Sequence, residues 1–332
     1  MPVTGRASDR QLLDVLRAQD DGADVVGLSR RPYRYATSAP LEEIRVQMGS
    51  GAQMAVIFKD LSRERLLDDA RASKPAFLHE PLRELETYRR ILAPAGIGPR
   101  CIAVVADEDP PRHWLLIEKV PGVELWQVGA LSVWEKVAGW LGRFHARFAG
   151  RLDEVRGANP HLLEHSEGWF RSWVGRARAA LAQSTDRRAS PVLRGLERYD
   201  EVIRSLAALP PRFLHGELYP SNVLVVRDEN PMRVYPVDWE MAAIGPGAID
   251  LAALVGGWNA PERRRLVAAY RGALADGGTD DQSDVLAAAL SRSRLHLALQ
   301  WLGWSSEWRP PSEHAHDWVG EALTLTEELG LQ

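Results

Sequence analysis

Residues 213–240 read FLHGELYPSNVLVVRDENPMRVYPVDWE. A carboxylate, Glu217, stands five residues before an amide, Asn222, and an Asp-x-Glu pair, Asp238 and Glu240, follows an apolar run and a turn. A carboxylate that orients an alcohol, together with hard oxygen ligands for magnesium, is what a phosphoryl-transfer site requires. Magnesium keeps several waters, so one amide oxygen and one or two carboxylates suffice. Asn222 and Asp238, on either side of a tight β-like pair, converge on one ion in this reading, and Glu240 faces a second ion or a bound water. Taken alone, Asn222 reads equally well as a turn cap after Pro220-Ser221.

A second charged group points to the same chemistry. Lys59 ends the run AVIFK, which puts Ala55, Ile57 and Lys59 on one strand face. A lysine on the inner face of such a strand pairs with the α- and β-phosphates of a nucleotide when a carboxylate on the following helix holds it. A solvent-facing lysine at a strand end is the plainer alternative.

These side chains need elements to position them. Ser8, Asp9, Leu12, Leu13 and Leu16 predict a short capped helix. From about Tyr33 to Asp60 the pattern is β-like, and Gly49-Ser50-Gly51 between LEEIRVQM and AQMAVIFK reads as a hairpin turn. HEPLRELETYRRIL places Leu82, Leu85, Tyr88 and Leu92 at helical spacing, with an end expected before Pro94. Two strand-like runs follow, CIAVVAD and HWLLIEKV, the second broken by Pro121-Gly122. Helices then dominate: residues 131–149, most of 150–210, and roughly 261–276, 282–304 and 316–329, interrupted by the short β-like runs VLVV and RVYPV.

Composition narrows the class. In 332 residues, 45% are apolar and 26% charged, ordinary for a globular chain and unlike a disordered one. The net charge of −4 provides no basic field for nucleic acid or an anionic membrane. Cys101 is the only cysteine, which excludes an intramolecular disulfide and cysteine-based zinc sites. MPVTGRASDR lacks a hydrophobic signal core and no run approaches 18 apolar residues, so a soluble, cytoplasmic chain is expected.

Two motifs, HGELYPSN (His215 to Asn222) and VDWEMAAIGPGAIDLA (Val237 to Ala252), resemble those of the aminoglycoside phosphotransferase family, bacterial relatives of the protein kinases. With the β-strand lysine and the element order, the resemblance spans about residues 30–300. It implies an α+β, bilobal, protein-kinase-like fold: a small N-terminal sheet lobe with one helix over residues 1–119, and a larger, mostly helical lobe over 120–332. It also implies magnesium and ATP or GTP as phosphate donor, with a small hydroxylated molecule as acceptor.

Within that resemblance Glu84 is the preferred partner of Lys59, with Glu80 one turn earlier and Glu86 a weaker rival. His215 matches the family's structural histidine, and Asp250 the buried aspartate that hydrogen-bonds the amides of the catalytic loop. His145 matches a core histidine. Glu118 and Val120, around Lys119, present backbone groups to an adenine or guanine edge. The turn expected over the phosphates, Ala36 to Pro40, has no glycine, so the hydroxyls of Thr37 and Ser38 take the place of flexible amides.

The departure is Glu217, where the family has aspartate. The unperturbed pKa values are close, about 4.3 against 3.9. The extra methylene changes reach, and misplacement by an ångström can cost on the order of 100-fold. The resemblance thus implies a phosphotransferase with an acceptor pocket shaped around the longer acid. Its rivals are a nucleotide-binding regulator without efficient transfer, and a small-molecule-sequestering protein that has lost the nucleotide. The acceptor pocket is expected near Trp301, Trp304, Trp308 and Trp318, with Glu307, Glu313, His314, His316 and Asp317 beside them; packing explains most of those tryptophans equally well. The His314/His316 alternation does not suit a helical zinc site.

Overall fold

The computed structural model describes residues 6–19, 24–33, 39–279, 283–304 and 316–331. Five strands, β1 (Val25–Pro32), β2 (Leu41–Met48), β3 (Gln53–Asp60), β4 (Cys101–Glu108) and β5 (Pro111–Glu118), form one antiparallel sheet in the order β1-β2-β3-β5-β4. The turn joining β2 to β3 contains Gly51 at φ 86°, a conformation that side chains with a β-carbon avoid. β1 is absent from the sequence reading. It is an edge strand with one neighbour, and VVGLSRRP alternates too weakly to announce it.

Alternation along the central strands separates two cores. Val56 and Phe58 of β3 and Trp114 and Leu116 of β5 pack with Leu12 and Leu16 of the helix Asp9–Arg17. Ser8 caps that helix through a reciprocal box with Gln11, as the sequence predicts. Leu115 and Ile117 of β5 point the other way, into a cluster that contains Leu85, Tyr88 and Leu92 and continues through the larger lobe. Lys59 is two residues from Ile57 on this inner side, paired in register with Leu41 and Leu115.

The helix that follows differs from its expected end. It runs Pro81–Glu86, widens into a π-helical stretch over Thr87–Leu92, and closes with Ala93–Ala95 before Gly96 at φ 64°. The Ala93 N–H reaches the Tyr88 carbonyl five residues back. Pro94, which has no N–H to donate, therefore falls where the α-helical ladder has already changed register, and the chain passes through it.

Six short strands occupy the larger lobe: β6 (Val123–Glu124), β7 (Leu163–Glu164), β8 (Pro211–Leu214), β9 (Val223–Val226), β10 (Arg233–Pro236) and β11 (Ala243–Pro246). They pair as β10-β9-β6 and β7-β11-β8. Around them lie the helices Leu131–Ala149, Glu167–Ala182, Ala260–Asp276, Ser283–Leu302 and Trp318–Glu328. Among the described residues no helix is long and apolar enough to cross a membrane.

Candidate active site

The β9–β10 hairpin brings distant residues together. Val223 pairs with Pro236, and just beyond the ladder the Val237 N–H donates to the Asn222 carbonyl at 2.9 Å. Asp238 therefore emerges beside Asn222. It sits at φ 66°, ψ 66°, the one non-glycine residue with positive φ among the described residues. Aspartate tolerates this left-handed region better than most side chains, but the conformation still carries strain of the kind that collects at functional sites.

Lys59 joins this point to the sheet lobe. Its Nζ lies 2.7 Å from Glu84 Oε2 and 2.6 Å from Asp238 Oδ1. Of the three glutamates weighed on the following helix, Glu84 is the one that reaches it. Glu80 caps its own helix through the Leu82 N–H, and Glu86 is engaged by Arg89 and Arg90. Burial favours the neutral amine, but Asp238 and Glu84 outweigh it and hold Lys59 charged. Burial also raises the Glu84 carboxyl, with Lys59 opposing.

A second framework holds the loop that carries Glu217. Strand β8 ends at Leu214, directly before His215 and Gly216, while β11 leads into the helix Ala248–Val255. The fully buried Asp250 of that helix accepts the backbone N–H of His215 at 2.8 Å and of Gly216 at 2.9 Å. His145 Nε2 lies 3.4 Å from the same carboxylate, and His145 Nδ1 lies 2.9 Å from the Tyr270 hydroxyl. Burial would raise Asp250, yet the hydrogen bond and charge of His145 and the His215 N–H hold it below its usual range. Gly216 is required here: its φ is 86°, and an added β-carbon would lie 2.0 Å from the Met241 carbonyl oxygen.

His215 is tied to the surrounding backbone through both ring nitrogens. Its Nε2–H donates to the Val237 carbonyl at 2.9 Å and its Nδ1 accepts the Glu217 N–H at 3.3 Å. Burial lowers its pKa, so the ring is neutral. Asn222 Nδ2 donates to the Glu217 carbonyl at 3.0 Å, which leaves the amide oxygen as its ligand-type atom. The Glu217 carboxyl is pushed up to about 8, by burial first and then by Glu240 and Asp238, with Lys74 and Lys59 opposing.

The Glu240 carboxylate, expected to face a second ion or a water, is paired with a lysine in this structure. Its Oε2 lies 2.7 Å from Lys74 Nζ, and its carbonyl accepts Arg83 Nη1 at 2.8 Å. Burial would raise this carboxyl, but Lys74 and Lys59 hold it well below the usual range. No three His, Cys, Asp or Glu side chains among the described residues form a metal cage. The hard-oxygen groups beside the hairpin are the Asp238 carboxylate, itself 2.6 Å from Lys59, and the Asn222 amide oxygen, the donor types that could hold magnesium together with waters and phosphates.

At the sheet edge, the N–H groups of Glu118 and Lys119 bond the carbonyls of Arg100 and Ala55 at 2.9 and 3.0 Å. Val120 is buried against Val226 and Tyr235, next to β9 and β10. In the aromatic cluster, Trp301 Nε1 donates to the Tyr219 hydroxyl at 2.6 Å, and Trp301 stacks on Trp318 at 5.5 Å. Trp304 stacks on Trp173, Asp317 caps the last helix, and His316 pairs with Glu321 at 2.6 Å. Most of this cluster is therefore packing and capping. Thr37, Ser38, Glu307, Trp308, Glu313 and His314 lie outside the described residues.

A family model for the phosphotransferase enzyme family matches residues 47–284, more than half of the sequence. The chain belongs to that family. No curated protein matches this phosphotransferase-family chain by sequence. Solved structures do. A choline kinase from Cryptosporidium parvum Iowa II superposes with a TM-score of 0.62 at 16% identity, covering 98% of this chain and 95% of its own. The GDP complex of aminoglycoside 2'-phosphotransferase-IIIa gives 0.59 at 14%, covering 97% and 98%. A spectinomycin phosphotransferase in complex with ADP and spectinomycin gives 0.58 at 13%, covering 99% and 100%. At such identities the likeness establishes the protein-kinase-like bilobal fold.

Three contributors escaped the sequence reading of this phosphotransferase-family chain. Lys74 and Arg83 reach the site from the β3–helix connection and from the helix itself, and Tyr219 reaches it from the loop after β8, where its hydroxyl accepts from Trp301, a residue already expected near the acceptor pocket. Tyr219, two residues after Glu217, had a usable signal. Lys74 had none, because no periodicity fixes where a connecting segment points.

Proposed function

We propose that this chain transfers the terminal phosphoryl group of ATP or GTP to a hydroxyl of a small molecule. The observation that carries the reading is the single Lys59 ammonium held between Glu84 and Asp238, one carboxylate from each side of the cleft. In this reading Lys59 donates to the donor phosphates while Glu84 keeps it in place. Asn222 and Asp238 would hold magnesium, which supplies neutralisation of phosphate charge when bound. Glu217 accepts the hydrogen bond of the incoming hydroxyl. As the acceptor oxygen bonds to the γ-phosphorus and the bridging P–O bond breaks, the hydroxyl proton passes to Glu217 and the nucleoside diphosphate leaves. Asp250 and His215 keep the loop at the required position, since the step depends chiefly on positioning and charge. The backbone carbonyl of Glu118 and N–H of Val120 face the base edge. Solved relatives holding GDP in one case and ADP in another support a purine donor.

One observation favours the regulatory reading: a carboxyl at position 217 raised to about 8 is mostly protonated at neutral pH, and a protonated acid does not accept the hydroxyl proton. Both readings are tested together by measuring nucleoside diphosphate release with magnesium, ATP or GTP, and a panel of sugars, aminoglycosides and amino alcohols. Turnover that disappears in Glu217→Gln supports transfer. Magnesium–nucleotide binding without turnover on any alcohol supports the regulator, and the absence of any thermal shift with either nucleotide overturns both.

A further inference from the structure

The segment between β3 and the helix Pro81–Glu86 crosses from the sheet lobe to the helical lobe. It carries the short helix Asp68–Ser73, then Lys74, then Phe77, whose ring packs edge-on against Trp169 and Trp173 of the helix Glu167–Ala182. Arg83 continues the crossing, donating to the carbonyls of Leu78, His161 and Glu240. Lys74 is thus fixed on both sides, and its ammonium meets Glu240 at 2.7 Å with side-chain exposures of 7% and 12%.

That contact falls two residues from Asp238, on the carboxylate that the Asp-x-Glu spacing offers to a second ion. The Glu240 carboxylate is thereby already occupied by a cation. A divalent ion on the same oxygens would have to displace the Lys74 ammonium or sit beside it, like charge against like charge among largely buried groups.

We propose that the ammonium of Lys74 stands in place of a second divalent ion, so that the nucleotide-loaded chain holds one metal rather than two. This rests on the phosphotransferase reading above. Glu240 then serves as the anchor that presents Lys74 to the phosphates, and Lys74 is a positioning and charge-neutralising group in the manner of a fixed cation.

The test counts ions rather than turnover. Wild-type protein with a non-hydrolysable ATP or GTP analogue is titrated with Mn2+, and bound ion is counted by electron paramagnetic resonance. One Mn2+ per chain is expected. Lys74→Met, with folding checked by circular dichroism, is expected to take up a second Mn2+ roughly tenfold weaker than the first, because Glu240 and waters alone hold it. The double variant Lys74→Met/Glu240→Gln is expected to return to one. Two ions on the wild type overturn the proposal without any variant, and so does a Lys74→Met chain that still binds one. Failure of the wild type to bind analogue or ion overturns the phosphotransferase reading as well, so the two failures are told apart.

Discussion

Replacing Asp250 by asparagine keeps the shape of the side chain and removes its charge. The present carboxylate accepts two backbone N–H groups through separate oxygens, at 2.8 and 2.9 Å, inside a fully buried site. An amide offers one oxygen, so its NH2 must face either the His215 or the Gly216 N–H, donor against donor. A hydrogen bond to a charged group contributes about 1.5–3 kcal/mol, and a buried donor left unpaired costs about 1–3 kcal/mol. The variant should therefore lose about 2–4 kcal/mol of stability. At roughly 2–4 °C per kcal/mol for a chain of a few hundred residues, the melting temperature falls by roughly 5–15 °C.

Urea unfolding followed by circular dichroism measures the first quantity and differential scanning fluorimetry the second. The pH dependence adds an independent check. Asp250 is held below its usual range in the fold, so its contribution is present above the unfolded pKa of about 3.9 and is lost as pH falls through the lower folded value. The deficit of the variant should be constant from pH 8 to 5 and shrink below about pH 4. A variant within about 0.5 kcal/mol of wild type at pH 7 would falsify the claim that Asp250 anchors the loop.

Other perturbations probe neighbouring contacts. Lys59→Met leaves Glu84 buried without its cation and should cost about 3–5 kcal/mol, most of it recovered in Lys59→Met/Glu84→Gln; additive losses by chemical denaturation refute the pairing. Gly216→Ala places a β-carbon at a positive φ and 2.0 Å from a carbonyl oxygen, so a loss above roughly 3 kcal/mol or failure to fold is expected, and a wild-type melting curve contradicts it. With Glu217 at about 8, the acid is about nine-tenths protonated at pH 7, and a divalent cation binding beside it favours the carboxylate. Calorimetry of magnesium–nucleotide binding in two buffers of different ionisation enthalpy should report release of nearly one proton at pH 7 and little at pH 9. An unchanged release in Glu217→Gln excludes this residue as the source.

Several features were legible before any coordinates, and each is local. The Ser8 cap, the turn at Gly49-Ser50-Gly51, the helix Leu131–Ala149 and the β9–β10 hairpin follow from turn chemistry and from periods of two or 3.6 residues, which neighbours along the chain decide. The spacing from Glu217 through Asn222 to Asp238 was legible for the same reason, since one hairpin closes it. What sequence left open depends on contacts between segments far apart. The choice of Glu84 over Glu80 and Glu86 depends on which turn of its helix faces β3. The capture of Glu240 by Lys74 spans 166 positions, and the direction of a surface connection is set by what it packs against rather than by its own residues. The raised pKa of Glu217 exists only in the folded chain, because burial and neighbouring charge are properties of the assembled fold, and the positive φ of Asp238 leaves no mark in the sequence.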